Sequence, residues 1–96
     1  MKQIIKDRAG KEFLYPPLLQ LEAYDAEEHT ELMETLKIYV FSGKSISASV
    51  KELNIHRNSL LYRLKRIQEI TGISFDSGED LFQIMLHFKI KEFSPQ

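Results

Sequence analysis

From Leu32 to Phe88 the apolar residues recur at intervals of three and four, and this helical period breaks at Ser42-Gly43, at Asn54 and at Gly72. Glycine and asparagine tolerate the left-handed conformation that ends a helix, so each break reads as a helix stop. Leu32, Met33, Leu36, Tyr39 and Val40 define a first long helix, with Thr30 or Asp25 as its cap. A short helix follows to about Leu53, capped by Ser45 or Ser47 and given one apolar edge by Val50 and Leu53. The next begins near Arg57 or Asn58 and runs to Thr71, with Leu60, Leu64 and Ile67 on one face. The last is capped by Ser77, with Asp80 three residues on, and carries Leu81, Ile84, Met85 and Phe88 before Ser94-Pro95. Upstream, Pro16 and Pro17 suit the first turn of a short helix through Leu18, Leu19 and Leu21 that ends near Asp25. Residues 1–26 are expected to form a connector carrying that short helix, with a turn at Gly10, and residues 27–93 the main helical domain. The fold class predicted is all-α, a small helical bundle.

A chain of 96 residues holds one compact domain, and a composition 43% hydrophobic and 28% charged is that of a chain that folds. At this length roughly 60 to 65% of the unfolded surface is buried, which leaves a modest core and no deep walled chamber. The sequence holds no cysteine. Disulfides, thiolate metal sites, iron–sulfur clusters and thiol nucleophiles are removed together, and a cytoplasmic location is expected. Apolar runs fall short of the roughly 18 to 20 residues that span a bilayer, and Met1 to Arg8 has no sustained apolar core, so neither membrane insertion nor secretion is expected. There is no phosphate-cradling glycine loop and no Gly-x-Ser-x-Gly elbow, and His29, His56 and His87 lack metal-ligand spacing. The acids lack the spacing of a catalytic pair. Neither an enzyme nor a cofactor or metal protein is expected.

The net charge of -1 hides an asymmetry. Glu22, Asp25, Glu27, Glu28, Glu31 and Glu34 are the charged residues from 22 to 34, all acidic, whereas Arg57, Arg63, Lys65 and Arg66 are those from 54 to 67, all basic, with His56 before them. The basic segment coincides with the predicted helix after Asn54. Val50, Asn54, Ile55 and Leu60 have the spacing of a helix-turn-helix: an apolar residue on the first helix, a turn residue, a plug and an anchor on the second. At about 100° per residue, Leu60, Leu64 and Ile67 fall together while Asn58, Ser59, Tyr62, Lys65 and Arg66 project from the other side, a face on which no acid is expected. Amide, hydroxyl, phenol and cationic groups suit phosphate oxygens and base edges, and double-stranded DNA is the expected partner.

These residues carry a resemblance. Leu36 to Tyr39, the run Leu53-Asn54-Ile55-His56-Arg57-Asn58-Ser59-Leu60-Leu61-Tyr62-Arg63-Leu64 and the run Ile67 to Gly72 resemble the C-terminal helix-turn-helix domain of the PucR/CdaR regulators, which govern purine catabolism and sugar-diacid use in bacteria. The signature His-Arg-Asn-Ser/Thr-Leu-x-Tyr-Arg-Leu matches at 56–64, and the similarity reaches upstream to Leu18-Leu19 and Tyr24-Asp25. The resemblance implies a Fis-like bundle that binds promoter DNA, with effector sensing in separate N-terminal domains. On this reading the chain is either a fragment of a longer regulator, the favoured expectation, or a stand-alone binder, and it is expected to act as a homodimer because such modules read paired half-sites. Val50 departs from the alanine usual at its place.

On the recognition helix, expected over about 57–71, Arg57, Asn58, Ser59 and Tyr62 are candidates for base edges. Lys65 and Arg66 are candidates for phosphates, with Ser45 or Ser47 donating from the start of the preceding helix. For His56 a turn or cap role stands beside base reading, and for Arg63 an ion pair with an acid such as Glu52 stands beside DNA contact. The acidic block reads as solvated surface or as a means of repelling DNA, orienting the domain or binding a partner. A helix-turn-helix scaffold for protein association without DNA is the alternative function.

Overall fold

The computed structural model describes residues 13–93, so the turn expected at Gly10 and the helix end at Ser94-Pro95 lie outside it. Within the described residues five helices follow one another: α1 Pro16–Glu28, α2 Leu32–Phe41, α3 Ile46–Leu53, α4 Arg57–Thr71 and α5 Gly78–Phe93. No strand occurs among them. The fold is an all-α helix-turn-helix bundle.

Proline at the first position starts α1, and the Tyr15 carbonyl accepts from the N–H groups of Leu18 and Leu19. The helix runs past the expected end at Asp25, because Ala26, Glu27 and Glu28 are unobjectionable in a helix and the first left-handed residue is His29, at φ 58°. The division expected between residues 26 and 27 thus falls inside α1. Leu18 and Leu21 are fully buried and share one core with Leu32, Leu36 and Val40 of α2, Leu60, Leu64 and Ile67 of α4, Ile73 of the following loop and Ile84 of α5.

Asp25 and Thr30 act jointly at the start of α2. The two Asp25 carboxylate oxygens accept from the Leu32 N–H at 2.9 Å and the Met33 N–H at 2.8 Å, and Thr30 donates its hydroxyl to the same carboxylate. A side chain of one helix satisfies the open donors of the next, which fixes the angle between them. The central helix is α2, packed against α1, α3, α4 and α5, while α4 lies on α1, α2 and α3.

Ser45 caps α3, its Oγ accepting from the Ala48 N–H at 3.1 Å; Ser47 is exposed inside the first turn and caps nothing. The small residue that α3 buries completely is Ser49, whose hydroxyl lies 3.5 Å from that of Ser42 at the end of α2. Val50, read from sequence as the close-contact position, is half-buried beside the core. Its greater bulk is accommodated because Ser49 makes the tight approach.

Asn54 ends α3 at φ 56°, Ile55 packs half-buried on the core, and α4 begins at Arg57. Gly72 ends α4 at φ 75°, with its N–H on the Gln68 carbonyl. On α5, Ser77 caps the Asp80 N–H at 3.1 Å, but the Asp80 carboxylate turns away and accepts from the Ser74 N–H and the Tyr15 hydroxyl. Met85, assigned to the apolar face, is exposed. His87, on the other side of the helix, is fully buried and accepts from the Tyr15 N–H.

Candidate nucleic-acid interface

The unit that could enter a DNA groove is α3, the turn of Asn54, Ile55 and His56, and α4. Leu60, Leu64 and Ile67 anchor α4 in the core, and helical geometry then decides where every other side chain of α4 stands. Asn58, Tyr62 and Lys65 lie directly opposite the anchors and all are exposed, Tyr62 to 67%. Arg57 and Ser59 at the start of the helix are exposed too. The exposed part of α4 therefore offers an amide, a hydroxyl, a phenol and two cations, all but Lys65 on the first half of the helix.

His56 is the cap of α4: its Nδ1 accepts from the Asn58 N–H at 3.2 Å, which defines Nδ1 as the acceptor nitrogen. The ring thus sits at the helix start, beside the exposed face.

Two arginines assigned to DNA contact are engaged within the protein. Arg63 points along the flank that meets α2, where Nη1 donates to Thr35 Oγ1 at 2.9 Å and approaches Glu31 at 3.9 Å. The acid it meets is Glu31, not Glu52, because this flank faces α2 and not α3. Arg66 meets α1: Nε donates to the Tyr24 hydroxyl at 3.3 Å, Nη1 donates to Glu69 at 3.2 Å, and the guanidinium carbon stands 5.1 Å from the Tyr24 ring centroid. The hydrogen bond to Tyr24, and after it the one to Glu69, pushes the guanidinium pKa up from a value at which arginine is already always cationic.

The outward face does carry an acid. Glu69 is exposed one turn beyond Lys65, in line with Asn58 and Tyr62, and its pairing with Arg66 marks the end of the cationic stretch. Sequence reasoning left out Glu69 and also Leu61, which is 39% exposed on the same helix and offers an apolar contact of the kind a thymine methyl accepts. Continuing the helical wheel one turn past Lys65 would have found the acid. Tyr24 could not be found that way, since it is brought to α4 by the packing of α1.

Between α4 and the turn joining α1 to α2 lies an open groove of about 540 Å³, walled by Tyr24 and residues 29–32 on one side and by Asn58, Ser59, Tyr62, Arg63 and Arg66 on the other. Ser45 and Ser47 stand apart from it, at the start of α3 with hydroxyls 3.4 Å from each other. Glu27, Glu28 and Glu31, all exposed, place the negative end of the molecule along the α1–α2 corner.

Residues 32–90 match the family model described as the PucR C-terminal helix-turn-helix domain. Among curated proteins, the chain is 36% identical over 77% of its length to the DNA-binding transcriptional activator AdeR of Bacillus subtilis. It is 38% identical over 72% of its length to the proline-responsive transcriptional activator PutR of the same organism. With that organism's purine catabolism regulatory protein it shares 31% identity over 80% of its length. The chain spans only 18%, 17% and 14% of those three relatives. No solved structure matches the chain. An extended family match across α2 to α5, on a bundle whose third and fourth helices form the expected helix-turn-helix, places this chain in the family of PucR C-terminal helix-turn-helix domains.

Proposed function

We propose that this domain binds double-stranded DNA as the sequence-reading module of a bacterial transcriptional regulator, with α4 in the major groove. The observation that carries the reading is the division of α4 into a buried edge of Leu60, Leu64 and Ile67 and an exposed edge of Asn58, Tyr62 and Lys65. A recognition helix needs both: the anchors fix its height above the bundle, and the opposite edge projects hydrogen-bonding tips into the groove. Arg57, Asn58, Ser59 and Tyr62 are the groups for base edges, and Lys65, Arg66, Ser45 and Ser47 those for phosphates. His56 supports the helix start, and Arg63 holds α4 to α2.

The activator names of the relatives support a role in transcription, and their greater length supports an N-terminal sensory portion acting in the same cytoplasmic regulator. No helix among the described residues is long and apolar enough to cross a membrane. Two copies reading half-sites about 34 Å apart would match the symmetry of such operators. The test is selection of bound duplexes from a random DNA pool. Enrichment of a symmetric site supports the reading, and recovery of an unenriched pool with no salt-sensitive binding refutes it.

A further inference from the structure

We infer that Tyr24 of α1 is a positioning residue for DNA binding, holding Arg66 of α4 so that the outer edge of its guanidinium meets a backbone phosphate. The inference rests on the DNA-binding reading above. Arg66 is held from two directions, by the Tyr24 hydroxyl and ring on one side and by Glu69 on the other, yet its side chain keeps 37% of its surface exposed. A guanidinium has five N–H donors in a rigid plane, and these contacts use only Nε and one donor of Nη1. The remaining donors belong to a group that lines the same groove as Asn58 and Tyr62.

An unrestrained arginine loses rotamer freedom when it clamps a phosphate. Here Tyr24 has already ordered the side chain in the folded protein, so that loss precedes binding. Tyr24 itself is half-buried and lies before the residues matched by the family model. Its oxygen accepts and its ring supports, and both act through Arg66.

The test uses fluorescence anisotropy of a short mixed-sequence duplex at low salt and across a salt series, for the parent chain, Tyr24→Phe, Arg66→Ala and the double variant, with thermal melts alongside. Tyr24→Phe keeps the ring and removes the acceptor. Its binding is expected to weaken about threefold, the size of one net hydrogen bond, with a shallower salt dependence and a melt close to that of the parent. Arg66→Ala should lower the slope of log affinity against log salt by ~0.9, the value of one phosphate contact, and Tyr24→Phe should then add nothing. If Tyr24→Phe lowers the melt as well, the comparison within the Arg66→Ala background, made well below either melting temperature, still reads the coupling. Parent-like binding by Tyr24→Phe, or equal weakening in both backgrounds, overturns the inference while DNA binding stands. A parent chain that binds no duplex at low salt overturns the DNA-binding reading and this inference with it.

Discussion

Arg63 donates to Thr35, a residue with no exposed surface, across 2.9 Å between the recognition helix and the central helix of the bundle. Thr35 in turn donates a hydrogen bond from its hydroxyl to the Glu31 carbonyl at 2.8 Å, so the guanidinium closes a short relay onto the start of α2. The contact ties the flank of α4 to α2, while Leu60, Leu64 and Ile67, seated in the core, decide which side chains face outward.

Removing this relay should therefore affect stability before specificity. Arg63→Ala is expected to lower the unfolding free energy by about 1 to 2 kcal/mol, from a lost charge-assisted hydrogen bond and the packing of its stem. Urea titration measures the first effect and binding-site selection the second. A variant that melts normally yet selects a different DNA sequence would return Arg63 to the reading face.

Asn58 and Lys65 share the exposed edge but differ in chemistry. Asn58→Ala removes a two-sided hydrogen-bonding group and should alter sequence preference at one position, by about 1 to 3 kcal/mol if the amide is bidentate to adenine. Lys65→Ala removes a flexible point charge and should weaken all sequences alike, with the salt slope reduced by ~0.9. Measuring both variants on two selected and two scrambled duplexes separates the roles. Interchanged results would mean the helix sits in the groove at a different depth.

Much of this architecture was legible because its signals are local. Asn54 and Gly72 take the left-handed conformations that their positions demand, Ser45 caps the helix directly after it, and the buried edge of α4 follows from counting threes and fours. What escaped depends on approach between distant segments. Nothing near Arg66 in the chain announces Tyr24, and nothing near Arg63 chooses Glu31 over Glu52. His87 was equally hidden: helical spacing places it toward the core, but only the arrival of the Tyr15 N–H gives an imidazole reason to be there.

Asp25 offers a separate test of how α1 is bound into the domain. Its carboxylate accepts from two backbone N–H groups at the start of α2, where a negative charge also suits the helix dipole. Asp25→Ala should destabilise the domain by roughly 1 to 2 kcal/mol, the cost of a lost helix cap, and Asp25→Asn by less because one oxygen remains. Thermal melts of the two variants give the order. Equal losses would show that the charge matters more than the geometry.

His87 makes stability depend on pH in one direction. Its Nδ1 accepts from the Tyr15 N–H at 3.0 Å, and its Nε2 is buried without a hydrogen-bond partner among the described residues, so an added proton would go to Nδ1, displace the Tyr15 N–H and place an ill-compensated cation in the core. Burial lowers the His87 pKa; Glu22 opposes that shift and Lys91, itself 3.0 Å from Glu22, reinforces it. In the unfolded chain the ring takes up its proton near the ordinary value of about 6.5. Below that pH the unfolded state holds more protons than the folded state. Stability from this residue is thus fully present above about pH 6.5 and declines as the pH falls toward the lower folded value. His87→Gln can retain an acceptor for Tyr15 without titrating, so it should lower stability at pH 8 yet flatten the loss between pH 7 and pH 5.5. Urea unfolding of both proteins across that range checks the sign, and parallel curves would assign the acid sensitivity to the carboxylates instead.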